Sequence, residues 1–240
     1  MSGRGGWRAA LDLARAGNFP SVASNVLAAL VLARGGAWPA PGEAALALLA
    51  GTLAYAGGAT LNDVADAAFD ARHRPERPIP RGALSRGGAA LLGGTELALG
   101  LALLAVLGAA WFWVAGLAAV ILAYDWLHKR WAGAVVLMAG CRILLGLAVA
   151  SGAGWTGGWA VAAWVAALGV YIVGLSLLAR REYLPGAPAA GLGRLVGQWL
   201  AGIPLLAAAA LVVVNAPGPA LACALAVPLG RLAQRLAAAD

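Results

Sequence analysis

The sequence predicts an all-helical bundle embedded in a membrane and crossing it about eight times. Three observations predict this fold class. Hydrophobic residues make up 62% of the chain and charged ones 11%, with a mean hydropathy of +0.82, where a soluble domain carries about a quarter charged residues. Apolar runs begin near residues 19, 43, 89, 110, 133, 159, 196 and 217, several of them only about 16–20 residues long, the short end for a bilayer span. The basic residues are also sorted. Of 17 Lys and Arg, 15 precede the first run or follow the second, fourth, sixth and eighth, while Arg34 falls on the other side and Arg142 inside the fifth run. The positive-inside rule then puts both termini and all long loops in the cytoplasm of a prokaryotic cell, the protein lying in its inner membrane. The net charge of +7 reports topology, with membrane lipids as partners and no nucleic acid. One domain, residues 1–240, is enough to hold such a bundle.

Taken in order, residues 1–17 read as an amphipathic helix at the cytoplasmic interface, anchored by Trp7. No cleavable signal peptide is expected, because no small-residue cleavage pattern closes the first run. Asn25 lies inside that run, where an unbonded amide is costly, so it should face the bundle and bond a neighbouring helix rather than a ligand. The second run holds Gly51, Gly57 and Gly58, which permit close backbone packing. Glu96 sits in the third run with no partner evident from sequence, and Trp111 and Trp113 open the fourth at the outer interface. The fourth run ends in Tyr124-Asp125-Trp126-Leu127-His128-Lys129-Arg130, on composition a snorkelling, aromatic helix end. Arg142 in the fifth run must face a polar cavity or a carboxylate, either pairing with Asp125 or Glu96 or touching substrate. Cys141 and Cys223 fall in apolar runs and read as buried free thiols. After the sixth run come Arg180, Arg181 and Glu182, then a loop marked by Pro185 and Pro188. Residues 62–86 and 180–195 are expected to form cytoplasmic cap loops.

The chemistry concentrates in Leu61–Ser85. Asp63, Asp66 and Asp70 are spaced by three and then four, which places them on one helix face, and Asn62 joins Asp66 and Asp70 at spacings of four. Clustered carboxylates repel one another unless a cation lies among them, and hard oxygen ligands favour Mg²⁺ or Ca²⁺. Arg72, His73, Arg74, Arg77 and Arg81 follow at once. The plainer alternative is a solvated, charged cap closing a membrane helix. The spacing, the Asn and the Arg77–Gly82 stretch RPIPRG weigh against it.

The stretch NDVADAAFD followed by RPIPRG resembles the signature of the UbiA family of membrane prenyltransferases, and the likeness extends over roughly residues 8–214. The resemblance implies a helical bundle around a central cavity capped from the cytoplasm. It also implies transfer of an isoprenyl group from a prenyl diphosphate to an aromatic or lipid acceptor, through an allylic carbocation formed as Mg²⁺ and cationic side chains neutralise the leaving diphosphate. Carried onto this sequence, Asn62, Asp63, Asp66 and Asp70 would hold Mg²⁺, and Asp63, Asp66, Lys129 and Arg142 would act in catalysis. Asn62, Arg77, Arg81, Tyr124, Lys129, Arg180, Arg181 and Glu182 would line the substrate. Two departures from the family are visible. Relatives usually have nine spans, and they carry a second Asp-rich motif where this chain has SLLARREY, with Glu182 its single acid. Adjacent Arg residues disfavour a second divalent ion by like-charge repulsion, so one Mg²⁺ is expected, with Arg180 or Arg181 taking the place of the other. The elements YDWLHK, MAGCR and LLARREY are closer to the UbiA-like subgroup of ebo gene clusters, associated with secondary metabolism. The alternatives are a carrier or scaffold that binds a lipid or aromatic precursor without turnover, and a polytopic transporter.

Overall fold

The computed structural model describes residues 3–180 and 189–237, all of whose regular elements are helical. They run α1 (Gly3–Leu13), a 3₁₀ turn (Ala16–Asn18), α2 (Phe19–Ala33), α3 (Pro41–His73), α4 (Arg86–Val106), α5 (Trp111–Leu127), α6 (Ala134–Gly152), α7 (Trp159–Arg180), α8 (Ala189–Val213) and α9 (Pro217–Ala233). Local chemistry sets several starts. Pro lies at the opening of α2, α3 and α9, where its missing N–H deprives the helix of nothing. Ser85 caps α4 by accepting a hydrogen bond from the Gly88 N–H at 3.0 Å. Gly35 and Gly36, both at positive φ, turn the chain out of α2.

Six helices among the described residues are long and apolar enough to cross a membrane, namely α3, α4, α6, α7, most of α8, and α2 with the turn before it. Helices α5 and α9 are apolar but only 17 residues long. Contacts show that both nevertheless run the full depth of the bundle. The C-terminal ends of α3 and α5 meet where His128 bonds Asp66, so α5 returns across the thickness that α4 traversed. Likewise Gly36 and Trp38 lie against the start of α9, while Gly230 near its end lies against Pro20. Eight rods, α2 to α9, therefore alternate in direction, and α1 lies against the charged end they share.

The boundaries differ from expectation in two places. The segment 62–86 is not all loop, because α3 continues as helix to His73 and only the stretch before Arg86 turns back. Thirty-three residues give α3 a length of about 50 Å, well beyond a hydrocarbon core of about 30 Å, so its acidic end projects from the membrane. The segment 180–195 is likewise partly helical, since α7 ends at Arg180 and α8 begins at Ala189; Arg181 and Glu182 lie outside the described residues.

Helix α3 is locked to α4 by interleaved small residues. A Cβ on Gly57 would strike the backbone of Leu97 and Gly93, and one on Gly100 would strike the backbone of Ala54 and Ala50. Thr60, fully buried, donates to Glu96 Oε2 at 3.2 Å across the same seam. That bond supplies the partner for Glu96 that the sequence alone left open. Backbone cannot move aside as a side chain can, so overpacking here is costly. Gly100→Leu should lower the melting temperature in detergent by about 3–10 °C. Gly94→Leu, whose added carbon meets nothing within 4 Å, should leave it unchanged in the same thermal scan.

Candidate functional site

The end of α3 carries Asp63, Asp66 and Asp70, with exposures of only 4%, 8% and 1%. Buried carboxylates need partners, and three separate elements bring them. Asp63 Oδ1 accepts from Arg15 Nη2 at 2.9 Å and from Arg77 Nη1 at 2.8 Å. Asp66 faces His128 Nε2 at 3.0 Å and Lys129 Nζ at 3.3 Å, and the same ammonium lies 4.1 Å from the centre of the Phe69 ring. Asp70 lies 3.9 Å from the Nε of Arg77, with the charge of Arg74 also nearby, and its Oδ1 is buried without a hydrogen-bond partner among the described residues.

Arg77 reaches back because the loop folds on itself. Backbone bonds from Arg77 N to Arg74 O, Arg81 N to Arg77 O and Ala83 N to Pro78 O close successive turns, and Gly82 takes a positive φ of 72°. The RPIPRG stretch is thus a device for returning one guanidinium to two carboxylates. Burial, and then the nearby charge of Arg15, pull the Arg77 guanidinium below its ordinary pKa, against the pull of Asp63. It remains protonated at neutral pH.

A second layer holds α5 in place. Asn62 Nδ2 donates to Asp125 Oδ1 at 3.2 Å, and His128 stacks on Tyr124 with ring centroids 5.0 Å apart. Arg81, half exposed, makes a 3.5 Å contact with Asp12 of α1 and so belongs to the rim. Arg180 donates to the carbonyls of His128 and Trp131, both at 3.1 Å. It pins the turn that presents His128 and Lys129, and its Nη2 is directed at backbone.

Arg142 lies elsewhere. Its Nη2 donates to Ser21 Oγ at 3.1 Å and its guanidinium stands 5.2 Å from the centre of the Tyr55 ring. Of the two roles left open for it, the ion pair with Asp125 or Glu96 does not form: Asn62 and Thr60 bond those acids instead. Asn25 does face the bundle, at 3% exposure, yet neither of its amide atoms has a hydrogen-bond partner among the described residues. The helix-to-helix bond expected of it is absent.

The structure therefore assembles Asn62, Asp63, Asp66, Asp70, Arg77, Tyr124 and Lys129 at one end, with Arg180 in support. Sequence reasoning missed Arg15 and His128. His128 carried a signal, since it stands four residues after Tyr124 and three after Asp125 on one helix face. Arg15 carried none, because only the turn at Ala16–Asn18 aims it at Asp63.

Among the described residues no group of three or more acidic, His or Cys side chains sits at metal-binding separations. The donor set nonetheless suits a magnesium ion. It offers hard carboxylate oxygens on one face, and the orphaned, buried Asp70 Oδ1 lacks the partner such an ion would supply.

A helical membrane bundle that gathers carboxylates and cations at one mouth is built to handle a charged group at the bilayer surface. Residues 22–238 match the UbiA prenyltransferase family, and the chain belongs to that family. It is 46% identical over 63 residues to a digeranylgeranylglyceryl phosphate synthase of Thermococcus onnurineus (strain NA1), a match spanning 26% of this chain and 23% of that relative. A solved structure from work on digeranylgeranylglyceryl phosphate synthase in membranes superposes with a TM-score of 0.65, covering 96% of this chain and 95% of that one. At 14% identity this second likeness shows the fold alone. These likenesses reach the family and no subgroup within it.

Arg180→Ala should speed amide hydrogen exchange across residues 128–133 while leaving exchange in α3 unchanged. Unaltered exchange in that turn would show that the two carbonyl bonds hold nothing.

Proposed function

We propose that this protein transfers an isoprenyl group from a prenyl diphosphate to a lipid or aromatic acceptor, with Mg²⁺ at the end of α3. One observation carries the reading: three buried carboxylates on one helix face are held by Arg15, Arg77, His128 and Lys129, drawn from three other segments. A diphosphate in its place would meet a ready-made set of donors.

The residues have distinct parts in this scheme. Asp63, Asp66 and Asp70, with Asn62 beside them, would hold the metal, which when bound supplies charge neutralisation for the diphosphate. Arg77 and Lys129 turn from carboxylate to phosphate oxygens as substrate arrives, an exchange of one charge-assisted bond for another. They bind the group that must leave with the electrons of the broken carbon–oxygen bond. Tyr124 and the apolar walls below exclude water from the carbon left behind. Arg181, next to the missing second acidic motif, is the remaining candidate for phosphate contact, because Arg180 is engaged with carbonyls.

Orientation follows from charge. Arg34 pairs with Glu43 at the end opposite the carboxylates, while the Arg and Lys side chains of the site gather at the carboxylate end. That end is proposed to face the cytoplasm, with eight crossings around a central cavity. Reporter fusions at Gly154 and Pro217 should read as external.

The acceptor is proposed from two sides. The curated relative is named for making digeranylgeranylglyceryl phosphate, so a glyceryl phosphate lipid belongs in the assay beside aromatic acceptors. The loss of the second acidic motif favours a carrier without turnover, and product formation from a panel of prenyl diphosphates separates the two. Asp66→Asn should weaken Mg²⁺-dependent binding of a prenyl diphosphate at least tenfold by calorimetry, about 1.4 kcal/mol or more, without unfolding the protein. Chelation by EDTA should weaken wild-type binding similarly and leave the variant unaffected. Unchanged affinity in Asp66→Asn would remove the assignment.

A further inference from the structure

Helix α1 and the segment after α9 meet at the charged end of the bundle and enclose a notch of about 220 Å³. Arg8, Leu11 and Asp12 line it from α1, and Arg235 and Leu236 line it from beyond α9. The volume is below the roughly 300–1,000 Å³ of a site that encloses a whole small molecule, and it suits a single group.

The charge in the notch is unbalanced. Arg8 and Arg235 are both exposed, and neither pairs with an acid among the described residues; Arg8 has the ring of its neighbour Trp7, 5.9 Å away. Asp12 is the one acid on the wall, and Arg81 stands 3.5 Å from it. The positive-inside rule accounts for single basic residues on this side of the membrane. It does not account for two, from opposite ends of the chain, that line one notch.

The rim selects the class of ligand. Helix α1 turns Ala9 and Leu13, both fully buried, toward the bundle, and leaves Trp7 and Leu11 exposed one turn apart on its outer side. Leu236, more exposed still, lies across from them. Apolar side chains beside guanidinium groups match the boundary between acyl chains and headgroups, where Trp also concentrates. A soluble phosphate ester would engage the two Arg residues and leave Leu11 and Leu236 in water. A phospholipid engages both kinds of wall, with its phosphate on Arg8 and Arg235 through charge-assisted bonds and its upper acyl carbons over the leucines.

We infer that the notch between α1 and the end of α9 binds the phosphate of an anionic membrane phospholipid. The site uses none of the cations that hold Asp63, Asp66 and Asp70, and it does not depend on the prenyl-transfer reading. A lipid held there ties the first helix to the last. It thereby braces α1, two residues after which Arg15 reaches Asp63 at 2.9 Å.

The test titrates the full chain in neutral detergent with three probes. Dioleoylphosphatidylglycerol carries chains and phosphate, dioleoylglycerol carries the chains alone, and sn-glycerol phosphate carries the phosphate alone. Native mass spectrometry counts the molecules bound. The first phosphatidylglycerol should bind at least tenfold more tightly than dioleoylglycerol, and the Arg8→Gln/Arg235→Gln double variant should lose that preference. A control, Arg72→Gln/Arg194→Gln, removes the same charge from other exposed positions and should stay within about twofold of wild type. In the wild type, phosphatidylglycerol but not dioleoylglycerol should slow amide hydrogen exchange in α1 and in residues 233–237. This measurement decides even where the notch variant fails to fold. Equal wild-type affinity for the two lipids, or unchanged exchange in both segments, would overturn the inference. So would a preference that survives the notch variant, or an equal loss in the control, which would reduce the effect to general surface charge. Binding of sn-glycerol phosphate as tight as that of the lipid would assign the notch to a soluble ester and overturn the lipid as its occupant.

Discussion

Everything at the functional end depends on the electrostatic balance struck on one face of α3. Three carboxylates within eight residues, each at least nine-tenths buried, would expel one another without compensation. Compensation comes from sequence positions far apart: Arg15 before α2, Arg77 in the returning loop, and His128 with Lys129 after α5. That balance therefore also organises the fold. It draws the chain before α2, the loop after α3 and the turn after α5 to a single point, and Arg180 fastens that turn from α7.

The balance is also the property a substrate would use. Cations that neutralise carboxylates in the resting protein present the same donors to a polyanion, and exchanging one oxyanion for another changes little in their own hydration. A site of this kind avoids burying a naked diphosphate and avoids leaving naked guanidinium groups when empty. Helix α3 would be the fixed side of such an exchange, because its clamp to α4 through Gly57, Gly93 and Gly100 holds the carboxylates against a rigid pair of helices. The cations sit on loops and turns, which move more readily than a clamped helix.

Beneath this end the bundle is mostly apolar, with the Thr60–Glu96 pair and the Arg142 group as polar exceptions among the described residues. The contrast between the two polar sites is informative. At the mouth Arg15, Arg77, His128 and Lys129 each meet an acid, and in the interior a cation stands with a hydroxyl and a ring. The membrane makes that second arrangement expensive to maintain, since Arg142 Nη1 is buried without a hydrogen-bond partner among the described residues.

The amino-acid sequence by itself determined the helical class, the alternating order of the rods and the acidic face. Each follows from local periodicity: apolar runs need helices in a bilayer, basic loops mark one side, and spacings of three and four align Asp63, Asp66 and Asp70. The family could be read from NDVADAAFD and RPIPRG because that chemistry is contiguous in the chain. Only the tertiary structure decided which cation meets which acid. Arg15 and Asp63 are 48 residues apart, and His128 and Asp66 are 62 apart, distances at which no periodicity speaks. The same holds for Arg142. Sequence could say that a buried guanidinium needs a partner, but whether Asp125 and Glu96 were already engaged by Asn62 and Thr60 depended on how the helices pack.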